Sequence, residues 1–210
     1  MMRIDQEKRD LIGREIRQEL GDRLMAQSEQ PNVIVFEDYD KGVLGEALIR
    51  RLVEWANAAS IPTVVDPKFR NFFAYANTTV FKPNLKELNE GMKEQTARND
   101  LVGISVLVQK LREAMPHMHT LVTLSEYGVV SFDEHLNQDH HAAHYRKITD
   151  VSGAGDTVIA LVGLALAAGW TVSEAADLAN LGGGLVCEEV GVVPIDRERL
   201  FAELYRLMDS

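Results

Sequence analysis

The stretch "DVSGAGDT" at residues 150–157 places two aspartates around a run of small residues, directly before a strongly apolar segment. Gly153, Ala154 and Gly155 leave no large side chain between the backbone amides and a ligand, and the following "VIALVGLALAAG" favours a helix. These amides would then lie at a helix N-terminus, where unpaired N–H groups and the helix dipole favour an anion. Asp156 would lie in the first turn, within reach of a hydroxyl that attacks a bound phosphoryl group.

The same stretch has a second interpretation, in which the small residues allow tight packing of a helix on a sheet and Asp156 only complements the helix dipole. Glycine-rich turns between a strand and a helix occur in many nucleotide-binding folds. Neither of the common phosphate-loop patterns, GxxxxGK[ST] or GxGxxG after an early strand, is present. The turn by itself therefore leaves both interpretations open.

Length and composition restrict the class of protein. The 210 residues are 46% hydrophobic, which predicts a single α/β domain over residues 1–210. The 22 basic and 32 acidic residues give a net charge of −10, which argues against an extended nucleic-acid surface. The absence of an uncharged apolar run of membrane-spanning length and the single cysteine, Cys187, predict a cytoplasmic protein without a membrane segment.

Short β-branched runs alternate with longer segments of helical period. The strand candidates are residues 32–36, 62–66, 78–81, 120–125 and 128–132. The helix candidates after the charged N-terminal segment are residues 45–60, 101–115, 154–168, 173–189 and 196–208. This alternation predicts a mainly parallel sheet with helices on both faces, and the short connection between the last two strands predicts a hairpin or an antiparallel edge.

Five motifs in a fixed order resemble those of the ribokinase-like (PfkB) carbohydrate kinases. "DVSGAGDT" is similar to the family's D-T-x-G-A-G-D signature. The other four are "FEDYDKGVL" (36–44), similar to S-D-Y-x-K-G-x-L; "VVDPK" (64–68), to V-D-P-K; "FKPNLKELN" (81–89), to K-P-N-x-x-E; and "VTLSEYG" (122–128), to V-T-x-G-x-x-G. The combination is most similar to the heptose-7-phosphate kinase branch, the kinase domain of bifunctional ADP-heptose synthases, from about residue 31 onward.

The resemblance implies that ATP and Mg²⁺ are used and that Asp156 is the general base. Gly153, Ala154 and Gly155 would form the anion hole for the transferred phosphoryl group. Asn84 and Glu87 would position Mg²⁺ through water molecules, since this ion keeps much of its hydration shell. Their spacing of three also fits a capping box, in which Asn84 caps a helix and Glu87 bonds back to it.

The resemblance also implies a nucleotide site. Thr123, Ser125 and Gly128 would border the phosphates and ribose, and Asn180 would lie near the adenine. Ser125 departs from the family pattern, because glycine is usual at that position. Asp150 would help to hold a potassium ion, or it is simply a turn residue.

On the sugar side, Asp38 is expected near the phosphoryl-transfer site and Lys41 near the phosphate of the ligand. Lys68 and Lys82 would add positive charge for a phosphorylated sugar, with exposed, solvated lysines as the alternative. Asp40 is a second departure, since glycine is frequent there. An extra carboxylate at that position either weakens phosphate binding or points to solvent.

The histidine-rich "DHHAAH" (139–144) suggests a metal site if His140 and His144 share a helix face. The segment leads into "YRKITD" (145–150), which we expect to be a strand, and a strand does not bring residues i and i+4 together. The sequence therefore favours no metal at these histidines.

Kinases of this family are longer and begin with strands, sugar-binding residues and a lid that are not recognised here. The chain resembles the C-terminal two-thirds of such a kinase, so we expect the fold without the N-terminal strands and lid. Exposed sheet edges then predict a homo-oligomer or association with a missing N-terminal segment. Three interpretations remain: a sugar kinase completed by a separate segment, a non-catalytic nucleotide-binding or assembly module, and a compact phosphotransferase acting on a smaller alcohol.

Overall fold

A computed structural model describes residues 9–144 and 146–208. Strands β1 to β6 are Ile34–Glu37, Thr63–Asp66, Val80–Phe81, His119–Thr123, Val129–Phe132 and Gln138–His141. Helices α1 to α7 are Arg14–Met25, Glu46–Ala58, Leu85–Met92, Leu101–Ala114, Ala154–Ala167, Val172–Val186 and Arg197–Met208.

The six strands form one sheet whose spatial order follows the chain, β1-β2-β3-β4-β5-β6. The first four strands are parallel, and β4, β5 and β6 pair antiparallel. Helix α2 connects β1 to β2, and α3 and α4 connect β3 to β4, whereas only a short turn separates β4 from β5. The predicted parallel sheet with an antiparallel hairpin is confirmed.

Each strand in the middle of the sheet buries side chains on both faces, because neighbouring residues point in opposite directions. Val65 and Val122 join the core beneath α2, α3 and α4. Val64 and Leu121 join the second core, beneath α5 and α6. Helices therefore cover both faces of the sheet, as the sequence predicts.

Two features differ from the sequence-based expectation. The polar segment 138–141 forms the edge strand β6, and the expected strand at 145–150 is wrong for residues 146–150, while Tyr145 lies outside the described residues. An edge strand is not covered along the whole of either face, so it does not need a continuous row of apolar residues. The polar sequence "QDHH" therefore has no strand signature. At the other end of the sheet, β1 pairs only with β2, so its second side is open within the described part of the chain. No helix of residues 9–144 and 146–208 has the length and apolarity needed to cross a membrane.

Candidate active site

Charged side chains converge where the parallel strands β1, β2 and β3 end. Glu37 and Asp66 are register partners at the last positions of β1 and β2, and Lys82 directly follows β3. The N-terminus of α5 faces the same edge, since a Cβ atom placed on Gly155 would lie 3.9 Å from Oδ2 of Asp66. The corner at 150–157 therefore meets the carboxyl ends of the strands, the usual place for ligands in open α/β sheets.

Asp156 lies in the first turn of α5, as predicted. The helix begins after Gly153, whose φ of 80° is in the left-handed region that favours glycine. Of the three amides predicted to form an anion hole, the N–H of Ala154 donates to the carbonyl of Val151 at 3.3 Å. The first-turn amide of Gly155 has no acceptor within the helix, so the anion site is better placed at Gly155 and Asp156 than at Ala154.

Glu37 and Tyr39 approach Asp156 from the end of β1, and neither of them is among the site residues expected from the sequence. Burial, then the negative charge of Asp156, raise the pKa of Glu37 above its usual range. Burial, then the charge of Glu37 and a hydrogen bond to Asp156, raise the pKa of Tyr39 to about 12. Both flank Asp38 where a strand ends, and Tyr39 also matches the tyrosine of the D-Y-x-K-G motif, whereas position is the only sequence signal for Glu37.

Lys82 and Asp66 form a buried ion pair with Nζ 3.1 Å from Oδ1, and their side chains are 3% and 11% exposed. Burial raises the pKa of the Asp66 carboxyl, while the charge of Lys82 opposes that rise. The solvated-lysine alternative is therefore wrong for Lys82. Its charge is balanced by Asp66 before any ligand binds.

Lys68 pairs with Oε1 of Glu87 at 2.6 Å. Burial opposes the charge of Lys68, but the hydrogen bond to Glu87 and the charge of Asp66 raise its pKa overall. The backbone N–H of Asn84 donates to Oε2 of Glu87, and that of Glu87 to Oδ1 of Asn84, each at 2.9 Å. The structure thus contains the capping box at the start of α3, while a contribution of Asn84 and Glu87 to Mg²⁺ binding stays a prediction.

Asp38 supports the loop after β1 and is almost entirely buried. Its Oδ2 accepts hydrogen bonds from Nδ2 of Asn71 and the hydroxyl of Tyr75, both at 2.9 Å, and its Oδ1 accepts the N–H of Asp40 at 2.8 Å. These contacts give Asp38 a structural function, while its place near phosphoryl transfer stays a prediction.

The rest of this loop carries the other predicted phosphate ligand. Nζ of Lys41 lies 5.9 Å from the ring centroid of Tyr39, a cation–π distance. Asp40 pairs with Nε of Arg70 at 3.0 Å and does not simply point to solvent. Each of these charges thus has a neighbour within the protein.

The turn between β4 and β5 contains two residues with left-handed backbone, and its predicted contact with a nucleotide stays a prediction. Thr123 ends β4 beside Asn84, and its N–H donates to the carbonyl of Pro83 at 3.2 Å. Ser125 has a φ of 56°, so a serine adopts here the left-handed backbone that glycine usually provides. Gly128 has a φ of 86°, and a Cβ atom there would lie 2.0 Å from the carbonyl oxygen of His141.

Asn180, predicted near the adenine, lies on α6 and binds the end of β6. Its Nδ2 donates to the carbonyl of Ala142 at 2.8 Å and to that of His141 at 3.3 Å. Its amide nitrogen is therefore engaged with the backbone beside Gly128. A contact between Asn180 and a base stays a prediction.

Asp150 behaves as a turn residue. Its carboxylate accepts hydrogen bonds from the N–H and hydroxyl of Ser152 and from the N–H of Gly191, at 2.8 to 3.0 Å. The bonds from Ser152 and then Gly191 lower the pKa of Asp150. Potassium binding at Asp150 is not tested by these contacts and stays a prediction.

Magnesium fits the donor chemistry of this edge better than a metal that needs a complete protein cage. Among residues 9–144 and 146–208, no group of three or more His, Cys, Asp or Glu side chains is arranged to hold a metal ion. Mg²⁺ is often held by one or two carboxylates, with water and phosphate oxygens completing its shell. Asp66 and Glu87 are carboxylates at this edge, each paired with a lysine, and their binding of Mg²⁺ stays a prediction. The "DHHAAH" segment is part strand, so His140 and His144 do not share a helix face.

Comparison with known proteins agrees with this arrangement. The model of the pfkB family carbohydrate kinases matches residues 16–198. A bifunctional protein HldE from Paramagnetospirillum magneticum is 36% identical over 206 residues, covering 98% of this chain and 42% of the relative. Another, from Methylobacillus flagellatus, is 37% identical over 205 residues, covering 97% and 41%. The chain thus spans about two-fifths of the length of the curated relatives it matches.

Solved structures share the fold at lower identity. Phosphofructokinase-2 from Escherichia coli, in complex with potassium, aligns with a TM-score of 0.81 at 16% identity, over 95% of this chain and 64% of its own. Arabidopsis thaliana ribokinase, complexed with ribose and ATP, aligns with a TM-score of 0.73 at 17% identity, over 93% and 60%. Fold, motif order and family match lead to one conclusion: the chain belongs to the pfkB family of carbohydrate kinases.

Proposed function

We propose that residues 1–210 belong to one kinase domain that transfers the γ-phosphoryl group of ATP to a hydroxyl of a sugar or sugar phosphate. The first candidate acceptor is D-glycero-D-manno-heptose 7-phosphate, which would yield the 1-phosphate on the route to ADP-heptose. This choice rests on the combination of D-Y-x-K-G at 38–42 with D-V-S-G-A-G-D at 150–156. The similarity to bifunctional HldE proteins supports it.

The observation that carries the proposal is the placement of Asp156. It lies in the first turn of α5, at the edge where Glu37, Asp66 and Lys82 end three parallel strands. A carboxylate there can take the proton of an acceptor hydroxyl while the amide of Gly155 binds a phosphoryl oxygen. This is the combination that phosphoryl transfer requires, since the reaction depends mainly on positioning and on charge stabilisation.

Asp66 and Glu87 would hold hydrated Mg²⁺ beside these groups. When bound, the ion neutralises charge on the phosphate oxygens. Lys82 would keep Asp66 ionised, because the ammonium group favours the carboxylate in a buried environment. The ion pair would therefore prepare a metal-binding carboxylate.

The test is ADP release by the purified chain with Mg-ATP and potassium, using heptose 7-phosphate, fructose 6-phosphate and ribose as acceptors. Asp156→Asn keeps the size of the side chain and removes the base, so we expect turnover to fall by about 10²-fold or more with an unchanged circular dichroism spectrum. Asp139→Asn, at an exposed position of β6, is the matched control. Equal turnover in Asp156→Asn and the wild-type chain would show that Asp156 is not the base.

A second candidate function is a non-catalytic nucleotide-binding module that needs a partner segment. Two observations favour it: Lys68 and Lys82 are already paired with carboxylates, and β1 has an open edge within the described residues. Binding of Mg-ADP without turnover on any acceptor would support this candidate. Turnover that depends on Asp156 would eliminate it.

A further inference from the structure

A hydrogen-bonded chain of three side chains connects β5, β6 and α6. Nε2 of His141 lies 2.9 Å from Oγ of Ser131, and Nδ1 lies 2.6 Å from Oδ1 of Asp177. Ser131 and His141 are diagonal neighbours on adjacent antiparallel strands, since Ser131 pairs with Asp139. One imidazole therefore links two strands to a helix.

In residue type, Ser131, His141 and Asp177 match a nucleophile, a base and an orienting carboxylate. They differ from such a set in accessibility. Ser131 is 2% exposed and His141 is 8% exposed, so neither can meet a substrate in this structure. Only Asp177 reaches the surface. The three residues are thus suited to holding elements together and not to acyl transfer.

The backbone of His141 contacts two of the predicted nucleotide residues, Asn180 on α6 and Gly128 in the turn before β5. Its carbonyl oxygen accepts a hydrogen bond from Asn180 and closely approaches Gly128. Asp177 and Asn180 are three residues apart on α6, so they share a helix face. We call residues 125–128, 141–142 and 177–180 the nucleotide wall.

His141 can keep both contacts in either protonation state. As a neutral ring it donates from Nδ1 to Asp177 and accepts from the hydroxyl of Ser131, and as an imidazolium it donates to both oxygens. The bond between the buried imidazole of His141 and the exposed carboxylate of Asp177 is short, at 2.6 Å, as expected when charge assists it. The connection is therefore a fixed one and not a switch.

We infer that His141 is a positioning residue for the nucleotide site, which sets the separation between the turn at Gly128 and the α6 face that carries Asn180. The inference rests on the proposed function, because it requires nucleotide to bind at this wall. Loss of the imidazole would let β6 and α6 separate. Nucleotide affinity would then fall, while transfer at saturating ATP would be retained.

The experiment is calorimetric titration of the full chain with Mg-ADP. We expect His141→Phe to weaken binding by about ten-fold and Asp177→Ala by about five-fold, in line with the loss of one or two hydrogen bonds. Asp177→Asn should retain most of the affinity, since its amide oxygen still accepts from Nδ1. Asp139→Ala, an exposed carboxylate two residues before His141, is the matched control and should bind as the wild-type chain does.

The double variant His141→Phe/Asp177→Ala separates positioning from general destabilisation. If the two residues act through one contact, the double variant should bind Mg-ADP no more weakly than His141→Phe alone. In the kinase assay the KM for ATP should rise, with kcat and the KM for the acceptor unchanged. Because Asp177 lies at the surface, the single variant Asp177→Ala still tests the inference if His141→Phe does not fold.

The possible failures are distinguishable. If the wild-type chain binds Mg-ADP and the Asp177→Ala variant binds equally well, the inference about His141 is wrong, while the proposed function is not affected and is decided by the turnover assay. If kcat falls in parallel with affinity, His141 acts on more than the nucleotide wall and the inference is also wrong. If the wild-type chain binds no nucleotide, both the inference and the proposed function are overturned.

Discussion

Two regions of the site are stabilised by different kinds of contact. One is the nucleotide wall, and the other is the phosphoryl end, formed by Glu37, Asp66, Lys82 and Asp156. At the phosphoryl end, charged groups at the ends of parallel strands balance one another, with Lys82 and Asp66 paired out of water. At the nucleotide wall, most contacts involve backbone, including the left-handed residues of the turn and the carbonyl groups that Asn180 binds. One region depends on electrostatics and the other on backbone geometry.

This difference predicts opposite sensitivities to substitution. A buried ion pair loses much more when one partner is removed than when both are replaced, because the remaining charge is left without compensation. A backbone-based wall tolerates changes of exposed side chains that make no contact within it, but not a Cβ atom where only glycine fits. Single substitutions in the two regions can therefore test whether the distinction is correct.

The largest expected effect on stability is at the phosphoryl end. Lys82→Met keeps the apolar stem and removes the ammonium group, which leaves the buried Asp66 without its ion-pair partner and with only the weaker effect of the Lys68 charge. We expect the free energy of unfolding to fall by about 3 to 5 kcal/mol in urea titrations near pH 7. Burial already raises the pKa of Asp66, so the loss should be smaller near pH 5, where this carboxyl is more readily protonated.

Lys86→Met is the matched control for Lys82. Lys86 is 83% exposed and lies 3.8 Å from Glu90 across one helical turn. Exposed pairs of this kind contribute little, so the change should stay within about 0.5 kcal/mol. If the two methionine variants unfolded at the same urea concentration, the buried pair would not stabilise the phosphoryl end.

The next effect concerns the nucleotide wall. Gly128→Ala would place a Cβ atom 2.0 Å from the carbonyl oxygen of His141, at a φ of 86°. The turn or β6 must move, at a cost of about 1 to 3 kcal/mol for the backbone conformation alone. We expect a lower melting temperature, measured by calorimetry, and weaker Mg-ADP binding.

Gly169→Ala separates backbone strain from the approach to His141. Gly169 has a φ of 82°, but a Cβ atom there meets no atom within 4 Å. This variant should lose stability by strain and keep its nucleotide affinity. If Gly128→Ala bound Mg-ADP as tightly as Gly169→Ala, the turn at Gly128 would not be part of the nucleotide site.

The same contrast explains how much of the fold the sequence could predict. β-branched runs and apolar helical periods identified β1 to β5 and the five helices expected after the N-terminal segment, and two-sided burial makes this pattern strongest in the middle of the sheet. The polar strand β6 lacks that pattern, since it lies at the edge of the sheet. The sequence pattern instead predicts a strand at residues 145–150, which follow β6.

For the candidate site, motif order located Asp156, Asn84 and Glu87 but not what surrounds them. Glu37 and Asp66 become neighbours only through the register of two parallel strands. Ser131, His141 and Asp177 belong to three elements, and no spacing in the sequence connects them. Pairings across elements of this kind could not be derived from the sequence without the topology of the sheet.

The smallest expected effect is at the exposed margin of the phosphoryl end. The pKa of Glu37 is raised from its usual value of 4.5 by burial and by the charge of Asp156. The folded chain therefore holds the proton more tightly than the unfolded chain, so stability falls as the pH rises from about that value through the raised pKa. Glu37→Gln should remove this unfavourable contribution and raise the melting temperature at pH 7.5, with no change near pH 4.

Because Glu37 is largely exposed, we expect the Glu37→Gln substitution to change the free energy of unfolding by about 0.5 kcal/mol or less, or the melting temperature by about 1 to 2 °C. Glu54→Gln, at an exposed position of α2, is the control and should give the same small change at both pH values. A shift in Glu37→Gln that did not depend on pH would mean that the carboxylates around Asp156 do not act on one another.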